Sequence, residues 1–128
     1  MKLEHIAIWV KDLEVMKDFY IKYFGMISSE KYVNEKKRFS SYFLSFQGGA
    51  RIELMLRQEI STWNDKGDTG LGFSHLAISV GSKSKVNLLT DQLRDDGLEI
   101  LSEPRITGDG YFESVVSDPE GNRIEITE

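Results

Sequence analysis

The stretch Leu3-Glu4-His5-Ile6-Ala7-Ile8-Trp9-Val10 is repeated, with small changes, as Phe73-Ser74-His75-Leu76-Ala77-Ile78-Ser79-Val80. In both copies apolar residues alternate with other residues, which is typical of a β-strand with one buried face. Near its end, each half of the chain contains the same triplet, Arg51-Ile52-Glu53 in the first half and Arg123-Ile124-Glu125 in the second. The two histidines lie 70 residues apart and the two glutamates 72 residues apart. The sequence therefore predicts two similar modules in tandem.

A helix is predicted after each of these strands, because apolar residues recur there at three-to-four-residue spacing. Asp12 is expected to cap the first helix and Gly25 to end it. Ser82 or Ser84 is expected to cap the second helix, which ends at Gly97. Three strand-like runs follow each helix, and they cover residues 27–33, 39–46 and 50–56, then 98–106, 110–117 and 122–127.

These elements predict an α+β fold built from two βαβββ modules within a single domain, residues 1–128. The first module is expected at about residues 1–57 and the second at about residues 73–128. A polar, glycine-bearing linker at about residues 58–72 would join them.

Composition excludes several classes of protein. The 128 residues include no cysteine, which rules out a disulfide scaffold, a thiolate nucleophile and any cysteine-rich metal site. The net charge of −5 argues against binding to nucleic acid or to an anionic membrane. No apolar run is long enough for a membrane span, and the first residues enter a strand pattern without a signal-like stretch. A cytoplasmic location is therefore expected.

Four residues of the two modules are predicted to share one kind of surface. Because side chains alternate along a strand, His5, Glu53, His75 and Glu125 all fall on the sheet face turned away from the helices. If the modules are related by a pseudo-twofold axis, the two histidines and two glutamates converge. Such a set suits one divalent metal that accepts nitrogen and oxygen ligands, namely Ni, Co, Zn, Mn or Fe.

Each of these residues also has a structural interpretation. A single histidine on a strand is more often structural than a ligand, and a single strand glutamate is normally solvated. The Arg-Ile-Glu triplets could be ion-pair partners across the sheet. The metal interpretation depends on all four residues recurring at equivalent module positions.

The closing segment Asp118-Pro119-Glu120-Gly121-Asn122-Arg123-Ile124-Glu125 resembles the vicinal oxygen chelate superfamily. This group includes glyoxalase I, bleomycin-resistance proteins, fosfomycin-resistance enzymes and extradiol dioxygenases. The resemblance extends to the segments His5-Ile6-Ala7-Ile8, Ile52-Glu53-Leu54 and His75-Leu76-Ala77-Ile78. It implies a U-shaped mixed sheet with helices on its outer face, a small-molecule substrate and a homodimer. Whether the metal site forms within one chain or across two is left open.

The order His, Glu, His, Glu at the four positions resembles glyoxalase I most. That similarity implies a metal-dependent lyase or isomerase that moves a proton alpha to a carbonyl through a metal-stabilised enediolate. Glu125 or Glu53 would act as the base and then the acid. The alternatives are an iron-dependent dioxygenase, a small-molecule-binding or resistance protein without turnover, and a metal-free structural domain.

Two departures from glyoxalase I bear on the substrate. Trp9 stands where an arginine that helps to hold glutathione is usual, and Arg57 lies near the usual place of an asparagine. Glutathione dependence is therefore in question. Trp9 is expected either to line an apolar substrate wall or to pack at a dimer interface. Four arginines are candidates to meet a substrate carboxylate or phosphate, although most are expected to be surface charges: Arg51, Arg57, Arg105 and Arg123.

Overall fold

The computed structural model describes residues 1–60 and 72–128. Its contacts divide the chain into two compact units, Met1–Asn64 and Asp65–Glu128. Most of the segment predicted to be a linker lies outside the described residues.

The first unit contains one α-helix and a five-stranded mixed sheet. Strand β1 runs parallel to β5, and β5 and β4 are antiparallel. Both β2 and β3 pair with β4, so the order across the sheet is β1-β5-β4-β2 with β3 also on β4. In chain order the elements are β1 (His5–Trp9), α1 (Leu13–Phe24), β2 (Ile27–Ser28), β3 (Tyr32–Asn34), a 3₁₀ turn (Glu35–Lys37), β4 (Phe39–Ser45) and β5 (Arg51–Arg57).

The second unit repeats this plan with a four-stranded sheet in the order β6-β9-β8-β7. Strand β6 runs parallel to β9, as β1 does to β5. His75 lies immediately before β6. The elements are β6 (Leu76–Ser79), α2 (Lys83–Asp95), β7 (Ile100–Ile106), β8 (Phe112–Ser117) and β9 (Arg123–Thr127). The prediction of an α+β fold with two modules is thus confirmed.

The helix ends lie where their capping residues predict. The Asp12 carboxylate accepts hydrogen bonds from the backbone N–H groups of Glu14 and Val15, which have no partner within the helix. Gly25 ends α1 with φ +64°, a left-handed conformation that glycine adopts without steric cost. Of the two serines considered for α2, Ser82 is the cap, and its hydroxyl accepts from the Lys85 N–H.

The strand predicted at residues 27–33 is divided into β2 and β3. Ser28 pairs with Leu44, but Tyr32 pairs with Ser41, so one extra residue is accommodated between these pairs. At the break the Ser29 hydroxyl accepts a hydrogen bond from the Phe43 N–H at 3.0 Å. This bond between side chain and backbone replaces part of the regular ladder where the bulge lies. The other strands differ from their predicted limits by three residues or fewer at either end.

Each sheet buries one face and leaves the other more open. In β5 the side chains of Ile52 and Leu54 are buried, and in β9 those of Ile124 and Ile126 are buried. Because exposure alternates along these strands, Glu53 and Glu125 lie on the opposite, partly exposed faces. Within the described ranges, no helix is long and apolar enough to cross a bilayer.

Candidate metal centre

The open face of the first unit brings His5 and Glu53 together. His5 begins β1, and Glu53 lies in the middle of β5, the strand that pairs with β1. The His5 Nε2 and the Glu53 Oε2 are 3.8 Å apart. The Glu53 side chain is only 15% exposed, whereas the His5 side chain is 39% exposed. An imidazole nitrogen and a shielded carboxylate therefore face the same space.

The other ring nitrogen of His5 has a charged partner. Its Nδ1 lies in hydrogen-bond contact with the Glu4 carboxylate, which also accepts from the Arg51 guanidinium. The hydrogen bond with His5, followed by that with Arg51, lowers the pKa of Glu4. A carboxylate that contacts Nδ1 orients the imidazole ring, so that Nε2 is directed at Glu53. The ring is further fixed by an edge contact with Phe43, 5.4 Å between centroids.

The second unit brings His75 and Glu125 together in the equivalent way. The His75 Nε2 lies 3.2 Å from the Glu125 Oε2, and the side chains are 40% and 22% exposed. Here the Nδ1 contacts the Ser74 hydroxyl at 3.2 Å, a neutral partner in place of the carboxylate at His5. The two pairs are alike in their facing atoms and differ in what supports the histidine.

A second carboxylate on this face, Glu113 of β8, was not singled out from the sequence. Glu113 pairs with Thr127 in β9, two residues beyond Glu125 on the same face. Burial, reinforced by the charge of Glu125, raises the pKa of Glu113, while the Arg105 guanidinium 3.6 Å away opposes the shift. Strand alternation alone would have placed Glu113 beside Glu125. Its low exposure depends on packing, which the alternation does not reveal.

The donor atoms of the second pair are spaced as two ligands of one divalent metal would be, whereas the 3.8 Å between the His5 and Glu53 atoms is wider. Neighbouring ligands at about 2.1 Å from one ion are roughly 3 Å apart, close to the 3.2 Å between the His75 and Glu125 atoms. Imidazole nitrogen and carboxylate oxygen suit Ni, Co, Zn, Mn or Fe. Among residues 1–60 and 72–128, no group of three or more His, Asp or Glu side chains forms a complete site. Within the described residues, each unit therefore brings together two candidate donors, one imidazole and one carboxylate.

On the open face of the first unit, aromatic residues and an arginine lie at the end of β1 and β5 that is distant from His5. Trp9 and Phe39 meet edge to face, 6.1 Å between centroids, and the Arg57 guanidinium lies 5.7 Å from the centre of the Trp9 ring. Arg57 is the last residue of β5, four residues beyond Glu53 on the same face. The arginine and the indole, noted in the sequence as separate departures, are in contact.

Two βαβββ modules that each present a His–Glu pair on an open sheet face define the vicinal oxygen chelate class. The family model described as "Glyoxalase/Bleomycin resistance protein/Dioxygenase superfamily" matches residues 2–126, and the chain belongs to that family.

Named relatives are consistent with this assignment. The chain is 31% identical to lactoylglutathione lyase GLX1 of Arabidopsis thaliana over 95% of its own length, but it spans only 42% of that relative. It is 28% identical to the lactoylglutathione lyase of Escherichia coli O157:H7, over 100% of this chain and 93% of the relative. The trypanothione-dependent glyoxalase I of Leishmania major has the same fold, with TM-score 0.80 and 24% identity over 100% of this chain and 86% of that one.

Proposed function

We propose that this protein is a metal-dependent lyase or isomerase, similar to glyoxalase I, that moves a proton at the carbon next to a carbonyl group of a small molecule. One observation carries the proposal: each unit presents a histidine Nε2 toward a glutamate on its open face, at 3.8 Å in the first and 3.2 Å in the second. We further propose that His5, Glu53, His75 and Glu125 together bind one divalent metal per site.

The proposed roles follow from the chemistry of these groups. The bound metal supplies positive charge that stabilises the negative charge developing on neighbouring substrate oxygens. Glu125 or Glu53 takes the proton from one carbon and returns it to the adjacent carbon, acting first as base and then as acid. The histidines hold the site through Nε2, with Nδ1 supported by Glu4 in one unit and Ser74 in the other.

The relatives support this class of reaction but not a particular substrate. The proteins from Arabidopsis thaliana and Escherichia coli are named for action on lactoylglutathione, at 31% and 28% identity. Trp9 and Arg57 replace residues expected for glutathione binding, so glutathione is not assumed as the co-substrate. By the same resemblance we propose a homodimer. From the net charge of −5 and the lack of a long apolar run in the sequence, we propose a cytoplasmic protein without a nucleic-acid or membrane partner.

Metal content is the first test. Protein purified without an affinity tag or chelator is expected to hold one divalent ion per chain by elemental analysis. His5→Ala and His75→Ala should each weaken metal retention, whereas Glu99→Gln, which changes an exposed carboxylate, should not. Loss of metal in only one of the two histidine variants would contradict a site that uses both units.

Turnover is the second test. Metal-free protein reloaded with Ni, Co, Zn or Mn should convert the hemithioacetals of methylglyoxal with several thiols, and Glu125→Gln should abolish that activity without loss of fold. If the Fe(II) form of the protein instead consumes oxygen in the presence of catechols, the alternative function, that of a dioxygenase, would be supported. Tight metal binding with no deuterium exchange into any carbonyl substrate would indicate a binding protein without turnover.

A further inference from the structure

An open cleft of about 460 Å³ at the end of β5 is lined by Lys37, Arg57, Glu59 and Ile60. Across the described parts of the chain, neither Lys37 nor Arg57 has a carboxylate within ion-pair distance, although Glu59 lines the same cleft. Other arginines differ in this respect, since Arg51 is paired with Glu4 and Arg94 with Asp91 and Glu103. Among the described residues, the two cations of the cleft therefore have only Glu59 beside them, and no ion pair neutralises either one.

Arg57 is held in place by a contact that leaves its hydrogen-bond donors available. Its guanidinium carbon lies 5.7 Å from the centre of the Trp9 ring, a cation–π contact. Such a contact does not use the N–H groups, which lie in the guanidinium plane and match the geometry of a carboxylate. Its Nε is shielded from solvent and has no hydrogen-bond partner among the described residues, so this atom is not the one that a ligand in the cleft would meet.

The surroundings of Arg57 are aromatic. Phe39 lies directly opposite Arg57 across β4 and β5, and its ring contacts both Trp9 and Tyr32 at 6.1 Å between centroids. Trp9 remains 39% exposed and Tyr32 54% exposed, although both are large apolar rings. An exposed cluster of this kind offers ring edges and faces to a flat ligand.

We propose that Arg57, in this cleft, and the neighbouring rings of Trp9 and Phe39 together bind an aromatic carboxylic acid, with the carboxylate paired to Arg57 and the ring against Trp9 and Phe39. The cleft favours a ligand with one negative charge over a ligand with several. The Glu59 carboxylate would repel a second negative charge placed beside Lys37 and Arg57. A carboxylate is therefore a better match than a polyphosphate.

As a statement about the substrate, this inference rests on the proposed function. Glu53 and Arg57 lie four residues apart on one face of β5, or about 13 Å at about 3.3 Å per residue. A substrate that reaches both would carry its reactive carbonyl at one end and an aromatic acid group at the other. The binding of the acid does not itself require the metal.

The binding test uses metal-free full-length protein and four small probes measured by calorimetry. The positive probe is 3-phenylpropionate. Two relatives of it each lack one feature, the flat ring in 3-cyclohexylpropionate and the charge in 3-phenylpropan-1-ol, and inorganic phosphate serves as an anion without any organic group. We expect 3-phenylpropionate to bind at least fivefold more tightly than each of the others.

Variants assign the binding to this cleft. Arg57→Gln should weaken 3-phenylpropionate about tenfold, the loss expected for a charged hydrogen bond. Arg57→Lys should be intermediate, because it keeps the charge without the planar fork. Arg94→Gln is the matched control, since that guanidinium already has carboxylate partners, and it should bind as the parent does. In a Trp63→Phe background Trp9 is the sole tryptophan, so its fluorescence should respond to the acid.

Three results would overturn the inference: equal affinity of the parent and both Arg57 variants, phosphate binding as tight as that of the aromatic acid, or equal affinity for the cyclohexyl and phenyl acids. The proposed function is tested separately by metal content and turnover. If the acid binds through Arg57 but no turnover is detected, the aromatic-acid site is supported and the proposed lyase activity is contradicted. If turnover is detected but neither Arg57→Gln nor the aromatic acid changes it, the lyase activity is supported and the aromatic-acid site is not.

Discussion

His5 and His75 differ in the group that supports the second ring nitrogen. Glu4 contacts the Nδ1 of His5 and is itself held by Arg51, whereas His75 has the neutral Ser74 hydroxyl. Because a carboxylate partner fixes the tautomer and raises the basicity of the other nitrogen, Glu4→Gln should weaken metal binding by about tenfold. Ser74→Ala should have a smaller effect. Competition with a chelating dye measures both dissociation constants.

The control for this prediction is Arg51→Gln, which removes the outer partner of Glu4 and should fall between the parent and Glu4→Gln. If Glu4→Gln retains full affinity while His5→Ala loses it, Glu4 is a surface ion-pair partner of Arg51 and does not position the histidine.

For individual residues, the sequence predicted the sheet face on which a side chain lies better than it predicted which side chains are in contact. Strand alternation was sufficient to place His5 and Glu53 on one face, and the same holds for His75 and Glu125. The contacts of Glu4 with His5, of Arg105 with Glu113 and of Arg57 with Trp9 were not predicted. Each depends on a side-chain rotamer and on strand register, which one sequence does not specify.

Helix α2 is joined to strand β8 by a buried hydrogen bond. The Thr90 and Ser114 hydroxyl oxygens are 2.7 Å apart, and both side chains are fully buried. Thr90→Val keeps the shape but leaves the Ser114 hydroxyl without this partner, so the free energy of unfolding should fall by about 1–3 kcal/mol. Urea denaturation measures the change. The double variant with Ser114→Ala should lose less than the sum of the single variants, and strict additivity would show that the two hydroxyls are not coupled.

Helix α1 is joined to its sheet by Glu14, which contacts Lys17 at 2.6 Å, Lys31 at 3.0 Å and the Tyr42 hydroxyl at 3.0 Å. These contacts, the Lys17 hydrogen bond first, lower the pKa of Glu14 from 4.5 to about 2. A carboxyl whose pKa is lower in the folded state stabilises it fully above about pH 4.5 and loses this contribution as the pH falls toward 2.

Glu14→Gln should therefore reduce the free energy of unfolding at pH 7 by about 1 kcal/mol, a value limited by the half-exposed side chain. The difference from the parent should shrink steadily between pH 5 and pH 3. Urea titrations across that range measure it, with the exposed Glu30→Gln as control. A difference independent of pH would mean that Glu14 acts through packing and not through its charge.

The elements themselves were largely predictable, and the exception, the division of one predicted strand, has a cause that is not local in sequence. The ends of α1 and α2 followed from Asp12, Gly25 and Ser82, because capping depends on residues adjacent in sequence. The division between β2 and β3 did not, because it depends on a hydrogen bond between Ser29 and Phe43 on separate strands. Bulges of this kind are set by pairing and are not visible in hydrophobic alternation.

For the whole molecule, the four proposed ligands are divided equally between the two units. Each unit contributes one imidazole and one carboxylate, and the described residues of neither unit form a group of three donors. A metal site of the proposed kind therefore needs both, whether from one chain or from two. The tandem plan explains why the sequence repeats at the proposed ligand positions, whereas Trp9 of the first copy is replaced by Ser79 in the second.

Mixing two inactive variants distinguishes a shared site from a single-chain site. In a dimer whose sites each combine the first unit of one chain with the second unit of its partner, pairing His5→Ala with His75→Ala produces one intact site and one that lacks both histidines. Random exchange makes about half of the dimers mixed, so about a quarter of the parental metal content and activity should return. The proposed homodimer could hold either kind of site, and this recovery is the result expected of the shared one.

The matched control mixes His5→Ala with Glu53→Gln, whose changes both lie in the first unit. In a shared site every mixed pairing of these variants remains damaged, so nothing should return. Recovery in the first mixture and not in the second therefore requires that the two units of one site belong to different chains. If native mass spectrometry detects mixed dimers and neither mixture recovers, each site lies within one chain, because no chain in either mixture carries all four ligands.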